Sequence, residues 1–326
     1  MGILRLLLAL SVVFNHLPWN NGLVIVGGRV AVQLFYIISG FLIAYILNST
    51  DRYKDVRKFY VSRWLRIYPI YYVVAAASLV TNLVGNPQFS ALYASIPLDA
   101  ALQLILSNLF IFGQDWTMFL GVSAGHLHAV ADYRNSDVEL FHGLLIPPAW
   151  TLGVELTFYL IAPFVLRSKR ATFALLGLSI LVRLVLMQLG LAGKDPWTYR
   201  FFPAELSLFL FGAISSQYLL PRWVKSTEAG PLRHAPAWAV SIIALVCLGY
   251  YYIPAEEWLK DSLLLTSFGI LVPLTFIFQN RTPLDSVIGQ LRADATINSH
   301  RSDRVVPGWQ RRVSFEAKTT DLFWIG

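Results

Sequence analysis

The chain has 326 residues, of which 56% are hydrophobic and 14% charged, with a mean hydropathy of +0.56. This composition excludes an ordinary soluble domain, because long apolar runs between short polar loops are typical of bilayer-spanning helices, each needing about 20 mostly apolar residues. The net charge of +7 is unevenly placed, and the single cysteine, Cys247, excludes an internal disulfide framework.

The apolar runs predict an all-α fold, a polytopic helical membrane protein with about eight transmembrane helices and one re-entrant or interfacial helix. The weaker apolar run at 98–113 is assigned to the re-entrant or interfacial helix. The predicted spans are residues 3–18, 28–48, 66–84, 149–166, 171–191, 201–219, 236–254 and 261–279.

The placement of cations predicts the orientation of these spans. Residues 49–66 hold six Lys/Arg, whereas residues 114–147 hold only Arg134 and residues 85–97 hold none. The positive-inside rule therefore puts 49–66 in the cytoplasm and both 85–97 and 114–147 outside. The run 98–113 between them should then not cross, and both termini are cytoplasmic. The alternative is a true ninth span that breaks the charge rule.

The first apolar run carries an ionisable residue near each end, Arg5 and His16. Eleven positions along an α-helix turn through about 1100°, which is about 20° past three full turns, so both residues lie on one side. Ionisable residues within a span are functional candidates by default. The alternative is that Arg5 extends to the membrane surface and His16 merely ends the helix.

Four further stretches follow in order. They read GRVAVQLFYIISGFLI at 28–43, FYVSRWLRIYPIY at 59–71, AWTLGVELTFYLIAP at 149–163 and PAELSLFLFGA at 203–213. Together with the Arg5–His16 spacing, this set resembles the acyltransferase-3 family of bacterial multi-span membrane O-acyltransferases, which modify surface polysaccharides and related acceptors. The resemblance covers residues 4 to 291, so we expect a membrane acyltransferase domain at 1–291, incomplete at its C-terminal end.

The resemblance implies an acyl-CoA donor, usually acetyl-CoA, presented from the cytoplasm, and an acceptor hydroxyl on a sugar or glycolipid. Arg63 and Arg66 match the family's R-x-x-R, and guanidinium groups suit the phosphates of CoA. Arg5 is expected to help orient the donor, and with His16 and Glu155 it is one of the three expected catalytic residues. The alternative for Arg63 and Arg66 is that they only enforce the topology.

His16 is the predicted general base, since an unperturbed imidazole titrates near 6.5 and can accept a hydroxyl proton at neutral pH. Glu155, placed in the outer half of its span, is expected to orient the imidazole and stabilise its cation. Pairing of Glu155 with another cation remains an alternative. Direct transfer and an acyl-histidine intermediate both remain open.

Two lesser candidates for substrate contact are Glu205, two residues after Pro203, and Ser39, in the middle of the second predicted span. Small residues also let helices approach closely, so packing is the alternative for Ser39.

We expect no metal. The polar segment 123–142 contains His126, His128, Asp132 and His142, but no second ligand pair has a standard spacing. This segment is an alternative platform for the acceptor.

The composition changes abruptly after residue 291. From Arg292 to Gly326 there are ten charged residues and no run long enough to span a bilayer. We expect residues 292–326 to form a disordered polar tail, produced by a frameshift or by divergence of the C-terminal end. The alternative is a natural cytoplasmic tail.

The sequence therefore predicts a membrane O-acyltransferase in the bacterial cytoplasmic (inner) membrane. Its expected partners are the lipid bilayer and a carbohydrate or glycolipid acceptor, with no nucleic acid. The alternatives are a polytopic transporter or exporter, although we find no internal repeat, and an inactive truncated acyltransferase.

Overall fold

The computed structural model describes residues 2–16, 26–49, 51–228 and 231–281, so the predicted tail at 292–326 lies outside the described residues. The described ranges are mainly helical, which confirms the predicted fold class. The helices are α1 (Gly2–His16), α2 (Gly28–Ser49), α3 (Val56–Gly85), α4 (Pro87–Ser95), α5 (Leu98–Phe110), α6 (Trp150–Val165), α7 (Lys169–Gln188), α8 (Phe202–Ile214), α9 (Leu220–Glu228), α10 (Ala235–Gly249) and α11 (Glu257–Arg281).

Six helical segments of the described ranges are long and apolar enough to cross a membrane. They are residues 28–49, 56–85, 147–165, 169–188, 232–252 and 257–279. The predicted first span corresponds to α1, of 15 residues, and the predicted span at 201–219 to α8 and the π-helical turn that joins it to α9. The total of eight spans stays a prediction.

Helix α5 occupies the weaker apolar run that we assigned to a re-entrant or interfacial segment. Its 13 residues extend about 20 Å, less than the hydrocarbon core of about 30 Å. Leu102, Ile105 and Leu109 on α5 are exposed, as expected for a helix in contact with lipid.

A small antiparallel hairpin follows α5, formed by β1 (Leu120–Ser123) and β2 (His126–Ala129). Ala124 and Gly125 form its two-residue turn, and both have positive φ, 51° and 78°. A turn with two positive φ values matches the twist of the paired strands. Sequence reasoning missed the hairpin because it interpreted this segment as a polar loop.

The chain divides into two compact units. The first comprises the described residues within 1–62, 165–172 and 208–326, and the second comprises residues 63–164 and 173–207.

In the first unit, α2 and α8 approach until their backbones touch. A Cβ at Gly40 would lie 1.8 Å from the carbonyl oxygen of Phe209, and one at Gly212 would lie 1.9 Å from that of Ile37. Tyr36 stacks on Phe209 beside this crossing, with ring centroids 4.6 Å apart. Small residues permit such close crossings in membranes, so packing accounts for Gly40.

In the second unit, three tyrosines of α3 cap the C-terminal end of α5. The hydroxyls of Tyr71, Tyr72 and Tyr68 donate to the carbonyl oxygens of Asn108 (2.7 Å), Leu109 (2.9 Å) and Phe110 (2.6 Å). The last carbonyls of a helix have no partner within it. These bonds satisfy them and fix the position from which the chain continues into the segment after α5.

The crossing of α2 and α8 predicts that Gly40→Ala and Gly212→Ala each destabilise the protein. Backbone oxygens cannot move aside as a flexible side chain can, so the added methyl group should cost about 1–3 kcal/mol or more of unfolding free energy. Thermal unfolding in detergent measures the effect.

Gly177→Ala on α7 is the matched control, because a Cβ there would meet nothing within 4 Å. The higher helix propensity of alanine should leave that variant unchanged or more stable by up to about 1 kcal/mol. A Gly40→Ala protein as stable as the Gly177→Ala protein would contradict the packing argument.

Candidate active site

Helix α1 runs without interruption from Gly2 to His16, so it contains both Arg5 and His16. The eleven-residue spacing therefore puts the two positions on one side of a continuous helix. The guanidinium carbon of Arg5 lies 5.8 Å from the centre of the Phe35 ring on α2, in cation–π contact. The side chain of His16 lies outside the described part of the chain, and its role stays a prediction.

Arg63 and Arg66 lie deeper in their helix than the sequence suggested. The third predicted span starts at residue 66, whereas α3 begins at Val56. Arg63 is therefore about two turns inside the helix and Arg66 about three. Arg63 is only 4% exposed, and Arg66 is partly exposed. Both arginines therefore lie within the helix and not at its first turn.

Tyr159 on α6 brings the two arginines together with Glu155. Its hydroxyl donates to the Glu155 Oε1 at 2.5 Å, one turn away on the same helix. The guanidinium carbon of Arg63 lies 6.0 Å from the centre of the Tyr159 ring, and Arg66 is within electrostatic range of the same side chain. We call Arg63, Arg66, Glu155 and Tyr159 the arginine–tyrosine cluster.

Sequence reasoning missed Tyr159, although its signal was present. A tyrosine four residues after a glutamate on a helix shares a face with it. The sequence predicts Glu155 in the outer half of its span and the two arginines at the cytoplasmic start of theirs. In the structure, α3 starts at Val56, and Arg63 and Glu155 both lie beside Tyr159.

The cluster contains two guanidinium groups and one carboxyl group, so it is net positive when all three are ionised. Guanidinium forks bind phosphate by paired, charge-assisted hydrogen bonds. Burial of the Arg63 and Tyr159 side chains strengthens these interactions, because a low dielectric screens them less than water does. The arrangement is chemically suited to an anion.

Glu205 belongs to a separate buried ion pair. It is 0% exposed, and its Oε1 accepts from the Arg183 Nη2 at 2.8 Å. Arg183 Nε also donates to the Ala204 carbonyl oxygen and to the Ser207 hydroxyl, each at 2.8 Å. Sequence reasoning missed Arg183 as the partner. The expected acceptor contact of Glu205 stays a prediction, as does that of Ser39, which is 3% exposed.

Asp195 joins the segment between α5 and α6 to the start of α6. Its carboxylate accepts from Arg134 at 2.9 Å and from Arg200 at 2.6 Å, and from the Tyr133 hydroxyl at 3.1 Å. The Arg200 guanidinium carbon lies 4.2 Å from the centre of the Trp150 ring, at the first residue of α6. Burial, assisted by Asp195, raises the pKa of Tyr133 to about 12.

The histidines of the predicted acceptor platform stay apart from this ion-paired group. His126 and His128 are on exposed positions of β2, and His142 Nε2 lies 3.8 Å from a Glu139 oxygen. The described ranges contain no group of three or more His, Cys, Asp or Glu side chains arranged to hold a metal ion.

A family model described as an acyltransferase domain matches residues 1–291. Nodulation protein 10 of Rhizobium leguminosarum bv. viciae is 30% identical over 204 residues, 57% of this chain and 50% of that protein. The peptidoglycan O-acetyltransferase OatA of Listeria monocytogenes is 26% identical over 208 residues, 59% of this chain and 29% of that protein. The chain thus spans half or less of the length of these relatives. No solved structure matches it.

The Arg183–Glu205 pair predicts an asymmetric response to mutation. Arg183→Met leaves a fully buried carboxylate without its cation and should cost about 3–5 kcal/mol of unfolding free energy. Glu205→Gln removes the charge but keeps the size, and it leaves an arginine whose side chain is 32% exposed, so it should cost less. Unfolding in detergent measures both.

The double variant Arg183→Met/Glu205→Leu should recover part of the loss, since no buried charge remains. Glu139→Gln is the control, because that partly exposed carboxylate has only a 3.8 Å contact with His142. A Glu205→Gln variant less stable than Arg183→Met would contradict this account.

Proposed function

Since this chain belongs to the acyltransferase family, as its motifs predicted, we propose that it transfers an acyl group from acyl-CoA to a hydroxyl of a cell-surface sugar or glycolipid. Acetyl is the proposed group, because one relative is named a peptidoglycan O-acetyltransferase. The observation that carries the proposal is the arginine–tyrosine cluster, a cationic group held inside the helices of the family-matched region.

Donor binding is assigned to Arg63 and Arg66. A CoA molecule carries a diphosphate and a 3′-phosphate, and two guanidinium groups on one face of α3 suit these oxygens. Tyr159 contacts Arg63 and is hydrogen-bonded to Glu155, so the arginines have partners within a helix, where an isolated cation would be unfavourable. Arg5, three residues into α1, is proposed to help orient the donor from the cytoplasmic side.

Chemistry is assigned to His16. Its imidazole takes the proton of the acceptor hydroxyl, the acceptor oxygen bonds to the thioester carbonyl carbon, and the carbon–sulfur bond breaks. The departing CoA thiolate takes the proton back, so the products are the ester and free CoA. An acyl-histidine intermediate gives the same products in two steps. The assignment of Glu155 as the carboxylate partner of His16 stays a prediction.

The proposed location is the bacterial cytoplasmic membrane, with both termini in the cytoplasm. The four cations that precede Arg63 and Arg66, namely Arg52, Lys54, Arg57 and Lys58, support this orientation. The acceptor is then modified on or near the outer side.

The donor assignment predicts that Arg63→Ala and Arg66→Ala weaken acyl-CoA binding. A hydrogen bond to a charged group contributes about 1.5–3 kcal/mol, so each loss should raise the dissociation constant about 10- to 100-fold. Lysine at either position should restore only part of the affinity for acyl-CoA, since its point charge lacks the paired N–H donors of a guanidinium group. Titration calorimetry with purified protein measures the affinity.

Arg57→Ala is the matched control, because Arg57 is an exposed arginine two turns earlier on α3. Its affinity should match that of the unaltered protein. Unchanged donor affinity in both Arg63→Ala and Arg66→Ala would remove the cluster from the donor site.

The chemical assignment predicts that His16→Gln abolishes acyl transfer, because glutamine keeps hydrogen bonding but cannot take a proton. Loss of a general base should lower the rate about 10²- to 10⁴-fold while donor affinity is retained. Adding Asn15→His to this variant should not rescue it, since position 15 is rotated by about 100° around α1. Acyl transfer normalised to membrane-inserted protein is the measurement, and a fully active His16→Gln protein would refute it.

A further inference from the structure

The segment after α5 buries an acidic residue that none of these roles uses. The chain reverses at Ile111 and Gly113, whose φ values are 65° and 80°, and then reaches Asp115, which is 2% exposed. The Asp115 Oδ1 is buried without a hydrogen-bond partner in the part of the chain that the structure describes. A buried carboxyl oxygen without a partner is unfavourable, and more so when it is charged.

This carboxyl packs directly on the backbone of α6. A Cβ at Gly153 would lie 3.0 Å from the Asp115 Oδ1 and 3.0 Å from the Ile111 carbonyl oxygen. The absence of a side chain at Gly153 therefore lets the segment reach the helix. Gly153 lies two residues before Glu155, about 200° around the helix, so Asp115 contacts the side of α6 opposite to the arginine–tyrosine cluster.

We propose that Asp115 is a positioning residue whose neutral carboxylic acid packs residues 111–115 against α6 at Gly153 and thereby holds Glu155 and Tyr159 in their working position. Ionisation of the carboxyl releases this contact and lowers acyl transfer. The inference rests on the proposed function, since it assigns a purpose to the position of Glu155 and Tyr159.

The protonation state follows from the surroundings. Burial raises the pKa of Asp115 from 3.8 to about 7, against the opposing effect of the Asp115 and Trp116 backbone N–H groups. The elements packed here carry few charged groups. Asp99 lies at the far end of α5, Glu155 is on α6 together with the titratable Tyr159, and residues 116–119 have no titratable side chain. Tyr71 on α3 accepts a hydrogen bond from the neighbouring Gln114, and His142 belongs to the turn that packs on residues 116–119. No cation is among the causes of the shift.

The direction of the pH dependence follows by linkage. A carboxyl whose pKa is higher when packed than the value of about 3.9 for an exposed aspartate favours the packed arrangement most at low pH. That advantage declines as pH rises from about 4, and the packed carboxyl loses its own proton near pH 7. Activity should therefore fall on the alkaline side, whereas the base His16 makes it fall on the acid side.

The test is the pH profile of acyl transfer for the unaltered protein, Asp115→Asn and Asp99→Asn, normalised to inserted protein. Asparagine keeps the size of Asp115 and is neutral at every pH, so Asp115→Asn should lose the alkaline decline near pH 7 and keep the acid one. Asp99 is exposed on α5, and Asp99→Asn should keep both. An Asp115→Asn profile with its alkaline decline unchanged would overturn the inference.

A second measurement needs neither activity nor a mutant. Infrared spectra of the unaltered protein, with and without ¹³C-labelled aspartate, should show the carbonyl band of a protonated aspartic acid that disappears as pH rises through about 7. Complete ionisation of all aspartates at pH 6 would overturn the inference even if Asp115→Asn fails to fold.

The two proposals can fail separately. An active His16→Gln protein would refute the proposed chemistry, whereas the infrared band of Asp115 would still report the buried acid. An inactive His16→Gln protein combined with an unchanged Asp115→Asn profile would leave the proposed chemistry intact and refute only the role of Asp115.

Discussion

The need to partner polar groups within apolar helices governs the second unit of this protein. Charged side chains and backbone carbonyls that hydrocarbon cannot solvate must find partners within the protein. Tyr159 contacts Arg63 through its ring and Glu155 through its hydroxyl, and Arg183 forms an ion pair with Glu205. These pairings let four ionisable groups be present at helix positions whose neighbours are almost all apolar.

Helix α6 makes several of these polar contacts, on two different sides. Trp150 and Gly153 are on one side of it, where the first contacts Arg200 and the second receives Asp115. Glu155 and Tyr159 are on the other side, about 140° and 180° around from Trp150. The W-T-L-G-V-E stretch thus encodes two different surfaces within two turns. The contacts with Arg200 and Asp115 on one side and the arginine–tyrosine cluster on the other account for the close alternation of aromatic, small and acidic residues there.

The helices themselves could be predicted because length and apolar composition identify them directly. The positions of Arg63 and Arg66 along α3 could not be predicted, because the first turns of this helix are basic and have no apolar pattern that marks the start of the helix. The roles of Tyr159 and Arg183 as partners of charged residues could not be predicted for a related reason. Within a span, a residue that pairs with a charge has the same spacing as one that only packs, and the distinction appears only when the neighbouring helix is known. The hairpin was missed because an Ala-Gly turn is a weak signal.

The tyrosine cap on α5 has a consequence for how a short helix can reside in a membrane. A helix that ends within a bilayer would expose its last carbonyl oxygens to lipid, which has no hydrogen-bond donors for them. Three phenol hydroxyls from α3 take the place of water at the end of α5. The carbonyl oxygens at the end of α5 therefore have protein partners before the chain reverses at Ile111 and Gly113, and the segment that leads to Asp115 starts from a fixed position.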